Sequence, residues 1–165
     1  MPDNVMLSQR LRRALEPAIR PLLHFYWRWS RGATLGARAM VIDGSGRILL
    51  IKHSYVNGWH LPGGGVETGE TMLSALTREL AEEANVKLTG QPRLHGLYFN
   101  KRASRRDHVA LFVVREFIQD APPVPNHEII EHGFFALDAL PGDVSRATRA
   151  RITEIFNGVA MSELW

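Results

Sequence analysis

Cysteine is absent from this chain, which excludes disulfides, thiolate nucleophiles and thiolate-held zinc. Long apolar runs are missing as well: no stretch approaches the ~18 residues that a membrane-crossing helix needs. A secretory signal is not legible at the N-terminus, because Arg10, Arg12, Arg13, Glu16 and Arg20 interrupt every apolar segment there. The same segment is rich in arginine and poor in acids, yet it has few serines, and an organellar presequence is not expected. Neither sign of charge dominates: 20 Lys and Arg stand against 17 Asp and Glu, a net charge of +3. That surplus suits an anionic substrate and is too small to argue for nucleic acid by itself. A cytoplasmic protein without a stable nucleic-acid partner is the expectation.

What is present reads as an ordinary globular composition, 45% hydrophobic and 22% charged over 165 residues, enough for one main domain with a real core. No internal repeat and no linker between two cores is visible. Residues 5–29 carry Val5, Leu7, Leu11, Leu15, Ile19, Leu22 and Leu23 at roughly helical spacing, with Pro17 and Pro21 set to kink or split the helix. It ends in the aromatic cluster His24-Phe25-Tyr26-Trp27-Arg28-Trp29. Packing on the domain, a homodimer contact, peripheral membrane contact and base stacking are all open for that cluster. The division expected is an N-terminal helical extension over 1–32, the main domain over 33–158 and a tail over 159–165.

From Leu35 the pattern changes to strands. Ala37 to Ile42 and Ile48 to Lys52 are apolar runs of strand length, and Asp43-Gly44-Ser45-Gly46 between them reads as a hairpin turn. Tyr55 to His60 reads as a loop and Leu61-Pro62-Gly63-Gly64-Gly65 as a turn that exposes backbone. Further strands are expected over Leu94 to Phe99, Val109 to Phe117 and Gly133 to Leu137. A basic loop is expected over Lys101 to Arg106, a proline-rich loop over Ala121 to Asn126, and a last helix over Val144 to Phe156 that buries Ile152, Ile155 and Phe156. Strands and helices mix without regular alternation, so an α+β sandwich around a mixed sheet is expected.

The segment from Gly64 to Val86, GGVETGETMLSALTRELAEEANV, concentrates the chemistry. Thr71 is placed to cap a helix running to about Ala84. At about 100° per residue, Leu73, Leu76, Leu80 and Ala84 form an apolar stripe, and Glu79, Glu82 and Glu83 cluster beside it. Three carboxylates on one helix face repel each other; divalent cations between them would make the arrangement favourable. Hard carboxylate oxygens suit Mg²⁺, with Mn²⁺ as the alternative ion, and both also bind substrate phosphates. The glycines just before the helix allow close backbone approach, and such loops offer N–H groups to phosphate oxygens.

These residues resemble the Nudix hydrolase signature, G-x5-E-x7-R-E-U-x-E-E-x-G-U with U aliphatic. Gly64 matches the first glycine, Glu70 the isolated glutamate, Arg78-Glu79 the R-E pair, Leu80 the first aliphatic, Glu82-Glu83 the E-E pair and Val86 the last aliphatic. The resemblance covers about residues 35–157, including Trp59-His60-Leu61-Pro62-Gly63-Gly64 ahead of the box. Asn85 stands where the family has a glycine that ends the helix in a left-handed conformation, and Asn is the next most tolerant residue there. The resemblance implies a Nudix-type α/β/α sandwich and Mg²⁺-dependent hydrolysis of a nucleoside diphosphate linked to another moiety, such as a nucleoside triphosphate or nucleotide sugar. It implies catalytic roles for Arg78, Glu79, Glu82 and Glu83. The metal ligands would be Glu79, Glu82 and Glu83 with Glu70 in support and the Gly63 or Gly64 carbonyl added. Arg78 would orient a carboxylate by ion pairing. Glu79, Glu82, Glu128 and Glu131 are the general-base candidates. An RNA 5′-end pyrophosphohydrolase and a catalytically inactive nucleotide-sensing module are the alternatives. For substrate binding, Trp59 leads Tyr55 and Phe99 as a stacking partner. Gly63, Gly64 and Gly65 offer backbone, while Lys52, His53, Lys101, Arg102, Arg105 and Arg106 offer charge, and His60 is a candidate proton carrier.

Overall fold

The computed structural model describes residues 32–165 together with Tyr26. Apart from Tyr26, which is helical and exposed, the helix expected over residues 5–29 lies outside the described residues. Residues 34–165 fall into one compact unit, and the tail from residue 159 belongs to it. In chain order the elements are β1 (Thr34–Val41), β2 (Ile48–His53), β3 (Trp59–His60), β4 (Gly63–Gly65), α1 (Met72–Ala84), β5 (Lys87–Leu88), β6 (Arg93–Phe99), β7 (Asp107–Val114), β8 (Phe117–Ile118), β9 (Ile129–Phe135) and α2 (Arg146–Asn157).

A four-stranded mixed sheet runs β4-β1-β7-β6, with β1 and β7 parallel and the outer pairs antiparallel. A three-stranded antiparallel sheet runs β3-β2-β9, and β5 pairs with β8. The period-2 alternation of strand side chains then decides which helix each residue meets. Ala37, Ala39, Val41 and Leu49 pack with Leu76, Leu80 and Ala84 of α1. Met40, Ile42, Ile48 and Leu50 pack with Ile152 of α2, Trp59 and Tyr98. Both faces are buried, which is why β1 and β2 read as continuous apolar runs rather than alternating ones. The expected α/β/α sandwich with a mixed sheet is the fold.

Three local expectations need correction. The Asp43–Gly46 turn forms, with Gly46 N–H donating to the Asp43 carbonyl at 2.9 Å, but it does not start a long hairpin. Only Ile42 and Ile48 bridge across it, after which β1 and β2 diverge into different sheets. Gly63–Gly65 is a short strand, not merely a turn. Leu73 is 41% exposed, while Ala75, Leu76, Leu80, Glu83 and Ala84 are buried. The buried face of α1 is therefore centred further round the helix than the Leu73 stripe, and Glu83 lies on that face rather than beside it.

Candidate metal and substrate site

The helix that carries the glutamates is fixed at both ends by its own sequence. Thr71 caps it: its side chain accepts from Ser74 N–H at 3.0 Å, and Ser74 Oγ accepts from Thr71 N–H at 2.8 Å. Asn85 closes it in the left-handed conformation, φ 50° and ψ 35°. Val86 N–H reaches the Leu80 carbonyl at 3.0 Å and Asn85 N–H the Ala81 carbonyl at 3.1 Å, so the orphan carbonyls are satisfied. The Asn85 side chain adds a bond to the Ala121 carbonyl, 2.9 Å. Asn thus fills the glycine position without disturbing the helix end.

Strand β4 lies against β1 in the register Arg38↔Gly63, Ala37↔Gly64 and Gly36↔Gly65. Two of its glycines are required, for different reasons. Gly63 has φ +129°, and a Cβ there would run into the Ala37 carbonyl oxygen. A Cβ on Gly64 would overlap the carboxylate of Glu79. The glycine strand is therefore pressed directly onto the acidic helix.

Arg78 sits at the centre of the charges. It holds Glu70 through two bonds, Nε to Oε1 at 2.9 Å and Nη2 to Oε2 at 3.0 Å, the bidentate geometry that arginine favours. Its Nη1 donates to Glu79 Oε1 at 2.8 Å and Glu82 Oε2 at 3.4 Å, and Nη2 to the Gly65 carbonyl at 3.1 Å. The hydrogen bonds from Arg78 and from Glu67 N–H hold the Glu70 carboxyl down at about 2, and Arg78 is kept firmly protonated by the same partners. Both Glu70 oxygens are committed to these donors, so Glu70 positions Arg78, and Arg78 in turn aims Glu79 and Glu82.

Glu83 is different. It is 6% exposed, and its Oε2 accepts from Gly63 N–H at 2.6 Å. Burial pushes its pKa up to about 7, with the Gly63 hydrogen bond and the Arg38 charge opposing and Glu79 and Glu128 adding. Its other oxygen lies 3.8 Å from His53 Nε2. One donor atom each from His53, Glu83 and Glu128 fall within 4.8 Å of one another, and Tyr55 OH donates to Glu128 Oε1 at 3.1 Å. Burial and the Arg38 charge lower the pKa of His53; burial foremost lowers that of His60. Both imidazoles are therefore neutral near pH 7.

A cavity of about 590 Å³ opens beside His53, lined by Arg38, Tyr55, His60, Arg102 and Arg146 among others. A larger one, about 820 Å³, lies against the C-terminal segment and shares Arg102, Arg146 and Trp165 with the first. Only the smaller of the two is lined by His53, whose Nε2 lies 3.8 Å from Glu83 Oε1, so the smaller one is the substrate candidate.

The structure redistributes several expected substrate contacts. Trp59 is 7% exposed and packs edge-on against Phe135 at 4.8 Å, so it is core and not an accessible stacking surface. Lys52 is engaged by Glu131 at 3.2 Å and Asp143 at 3.6 Å. Glu131 is thereby drawn away from the acidic cluster, while Glu128 reaches it. Tyr55, 65% exposed, and Arg102 do line the cavity, whereas Phe99 belongs to the larger one. Arg38 and Arg146 were not legible as site residues. Arg38 had one signal, a lone cation inside an apolar strand, and its Nη1 donates to the Leu61 carbonyl at 3.1 Å.

With fold and site in place, comparison with known proteins assigns the class. The NUDIX domain family matches residues 32–154, and the chain belongs to that family. Rat diphosphoinositol polyphosphate phosphohydrolase 2 is 40% identical over 75 residues, covering 44% of this chain and 41% of that protein. The chain thus matches less than half the length of that relative. Among solved structures, the MutT NUDIX hydrolase of Burkholderia pseudomallei is 28% identical with a TM-score of 0.65, covering 75% of this chain and 98% of that one. A UDP-X diphosphatase shares the fold over 97% of this chain and 85% of its own, at 19% identity and a TM-score of 0.59.

Proposed function

We propose that the protein is a divalent-cation-dependent pyrophosphohydrolase that cleaves a nucleoside diphosphate linked to another moiety, of the nucleoside triphosphate or nucleotide-sugar type. The observation that carries this reading is the Glu83 carboxylate. It is buried to 6% exposure, has one hydrogen bond, and lies within 4 Å of no Lys or Arg nitrogen among the described residues. A buried anion so poorly compensated is costly, and a cation is the partner that fits. The all-oxygen donors Glu79, Glu82, Glu83 and the Gly63 carbonyl suit Mg²⁺ or Mn²⁺. When bound, such an ion neutralises phosphate charge and makes water a better nucleophile.

The chain's own residues supply the rest. Arg78 holds Glu79 and Glu82 in place, and Glu70 holds Arg78. One of those two box carboxylates receives the proton of the attacking water. Gly64 lets the helix and strand close together. Arg38, Arg102 and Arg146 give the cavity the positive rim that an anionic substrate needs. Tyr55, exposed at its mouth, is the aromatic surface available to a base. A second reading, a diphosphoinositol polyphosphate as substrate, is supported by the rat relative together with those three arginines.

The test is a panel assay with purified protein and Mg²⁺ on nucleoside triphosphates, dinucleotides, nucleotide sugars, diphosphoinositol polyphosphates and triphosphorylated RNA. Anhydride cleavage in the nucleotide arms is expected. Glu82→Gln should lower turnover by about 100-fold or more while its melting curve stays unchanged. Turnover of every substrate by Glu82→Gln at the wild-type rate, or no turnover of any by the wild type, would overturn the reading.

A further inference from the structure

We propose that the larger cavity, beside the C-terminal segment, holds the second moiety of the substrate, and that this moiety is bulky and largely apolar. The inference rests on the proposed function and names the kind of group that the nucleoside diphosphate carries. Such a group differs from the single phosphate of a nucleoside triphosphate and from the hydroxyl-rich ring of a nucleotide sugar.

The cavity, about 820 Å³, owes its room to small residues. Positions 147, 150, 151 and 154 share one face of α2 by helical spacing, and the first two are alanines. Val159 and Ala160, just past that helix, line the cavity as well. Arg151 ties the helix to the chain that returns over it. Its Nη1 donates to the Leu164 carbonyl at 2.9 Å, and its guanidinium lies 4.0 Å from the centre of the Tyr98 ring and 5.5 Å from that of Trp165. These contacts hold Leu164 and Trp165 in place as walls.

The lining decides what fits. Its polar side chains are mostly spent on protein partners. Glu154 accepts from Arg151 Nη2 at 2.7 Å, Tyr98 OH at 2.8 Å and Ser162 N–H at 2.9 Å. Ser162 Oγ accepts from Leu164 N–H at 2.9 Å, and Thr153 Oγ1 donates to the Arg149 carbonyl at 2.9 Å. A polyhydroxyl or phosphate group placed among them would lose water without gaining partners, a cost that an apolar group avoids. Val159 and Leu164 are each more than half exposed, apolar surface for such a group to cover. One buried donor is left over: Arg151 Nε has no hydrogen-bond partner among the described residues. Glu154 already balances the Arg151 charge, so this donor suits a single neutral acceptor. Lys101, also in the lining, is exposed to solvent. The two cavities adjoin, because Arg102, Arg146 and Trp165 line both. A substrate that enters the larger cavity from the one beside His53 therefore meets two cations, where its diphosphate needs them.

The test uses the full chain with Mg²⁺ and two esters each of ADP, GDP and UDP, one carrying a methyl and one a naphthylethyl group on the terminal phosphate. Release of the nucleoside monophosphate gives kcat/KM. With the preferred base, the naphthylethyl ester should exceed the methyl ester by about tenfold or more. Calorimetric titration with methylene-bridged analogues of the same esters, which cannot be cleaved, should show the same ratio in Kd. Ala150→Phe fills the larger cavity alone, since Ala150 does not line the smaller one, and should bring both ratios to within about twofold of one. Val159→Phe, at an exposed position of the same lining, should do likewise and reports even if Ala150→Phe folds poorly. Ratios near one in the wild type, as expected if a partner protein or a second copy occupies the cavity, would overturn the proposal. So would failure of the naphthylethyl analogues to bind, or ratios unchanged in both variants. Failure of the box reading shows separately, as no cleavage of any ester or triphosphate, while the ratio of Kd values still reports on the cavity.

Discussion

Replacing Glu83 by glutamine is expected to stabilise the metal-free protein at alkaline pH, although Glu83 belongs to the candidate metal site. The carboxylate has a folded-state pKa of about 7, chiefly through burial, against an ordinary value of 4.5. The folded value lies above the unfolded one, so between these two pH values the native state binds more protons, and stability falls as pH rises through the window. Below pH 4.5 the penalty is absent; above pH 7 it is complete. At about 1.4 kcal/mol per pH unit it amounts to about 3 kcal/mol, on the order of 10 °C in melting temperature for a domain of this size. Glutamine remains neutral and keeps an oxygen for Gly63 N–H, so the variant escapes the penalty. The assay is circular-dichroism melting of both proteins in EDTA from about pH 4.5 to 8.5. The difference between the two curves isolates Glu83 from the other titrating groups. Near the acid end the proteins should melt together; near pH 8 the variant should melt higher by on the order of 10 °C. Adding Mg²⁺ should raise the wild type and leave the variant nearly unmoved. A difference curve that is flat with pH, or a variant that melts lower near pH 8, would refute the reasoning.

Other perturbations separate stability from chemistry. Gly64→Ala places a methyl on the Glu79 carboxylate, not on backbone. It should lower Mg²⁺ affinity by about tenfold or more with melting changed little, as read by calorimetric titration. Asn85→Ala loses both tolerance of the left-handed φ of 50° and the Ala121 bond; urea unfolding should show a loss of about 1–3 kcal/mol. Arg151→Met strands a buried Glu154, whose Oε1 now lies 2.7 Å from Arg151 Nη2. The same unfolding assay should register a loss of about 3–5 kcal/mol.

The sequence made the central helix legible almost to the residue because its signals are local. Thr71 and Asn85 mark its ends, and both act there as expected. The strands of β1, β2, β6 and β7 were legible from apolar runs, as was the α/β/α layering from the family resemblance. What escaped depends on contacts distant in sequence. The divergence of β1 and β2 into two sheets is decided by the parallel pairing of β1 with β7 far along the chain, to which the turn residues are blind. Trp59 beside the glycines suggested a stacking surface, but Phe135 from β9 draws it into the core. Lys52 looked free until Glu131 and Asp143 were brought beside it. Among the glutamates, spacing found the helical cluster, and only tertiary structure distinguishes the buried Glu83 from the exposed Glu82.

The C-terminal segment has a consequence for solubility. Phe99 N–H donates to the Glu163 carbonyl at 2.8 Å, and Trp165 N–H returns a bond to the Phe99 carbonyl at 3.1 Å. Strand β6 is an outer strand of the mixed sheet, and an outer strand with bare amides recruits other chains. By occupying the Phe99 end of that border, residues 163–165 act as a built-in guard against intermolecular strand addition. Tags or truncations placed there would uncover a sticky margin beside Leu94 and Leu97, both more than half exposed.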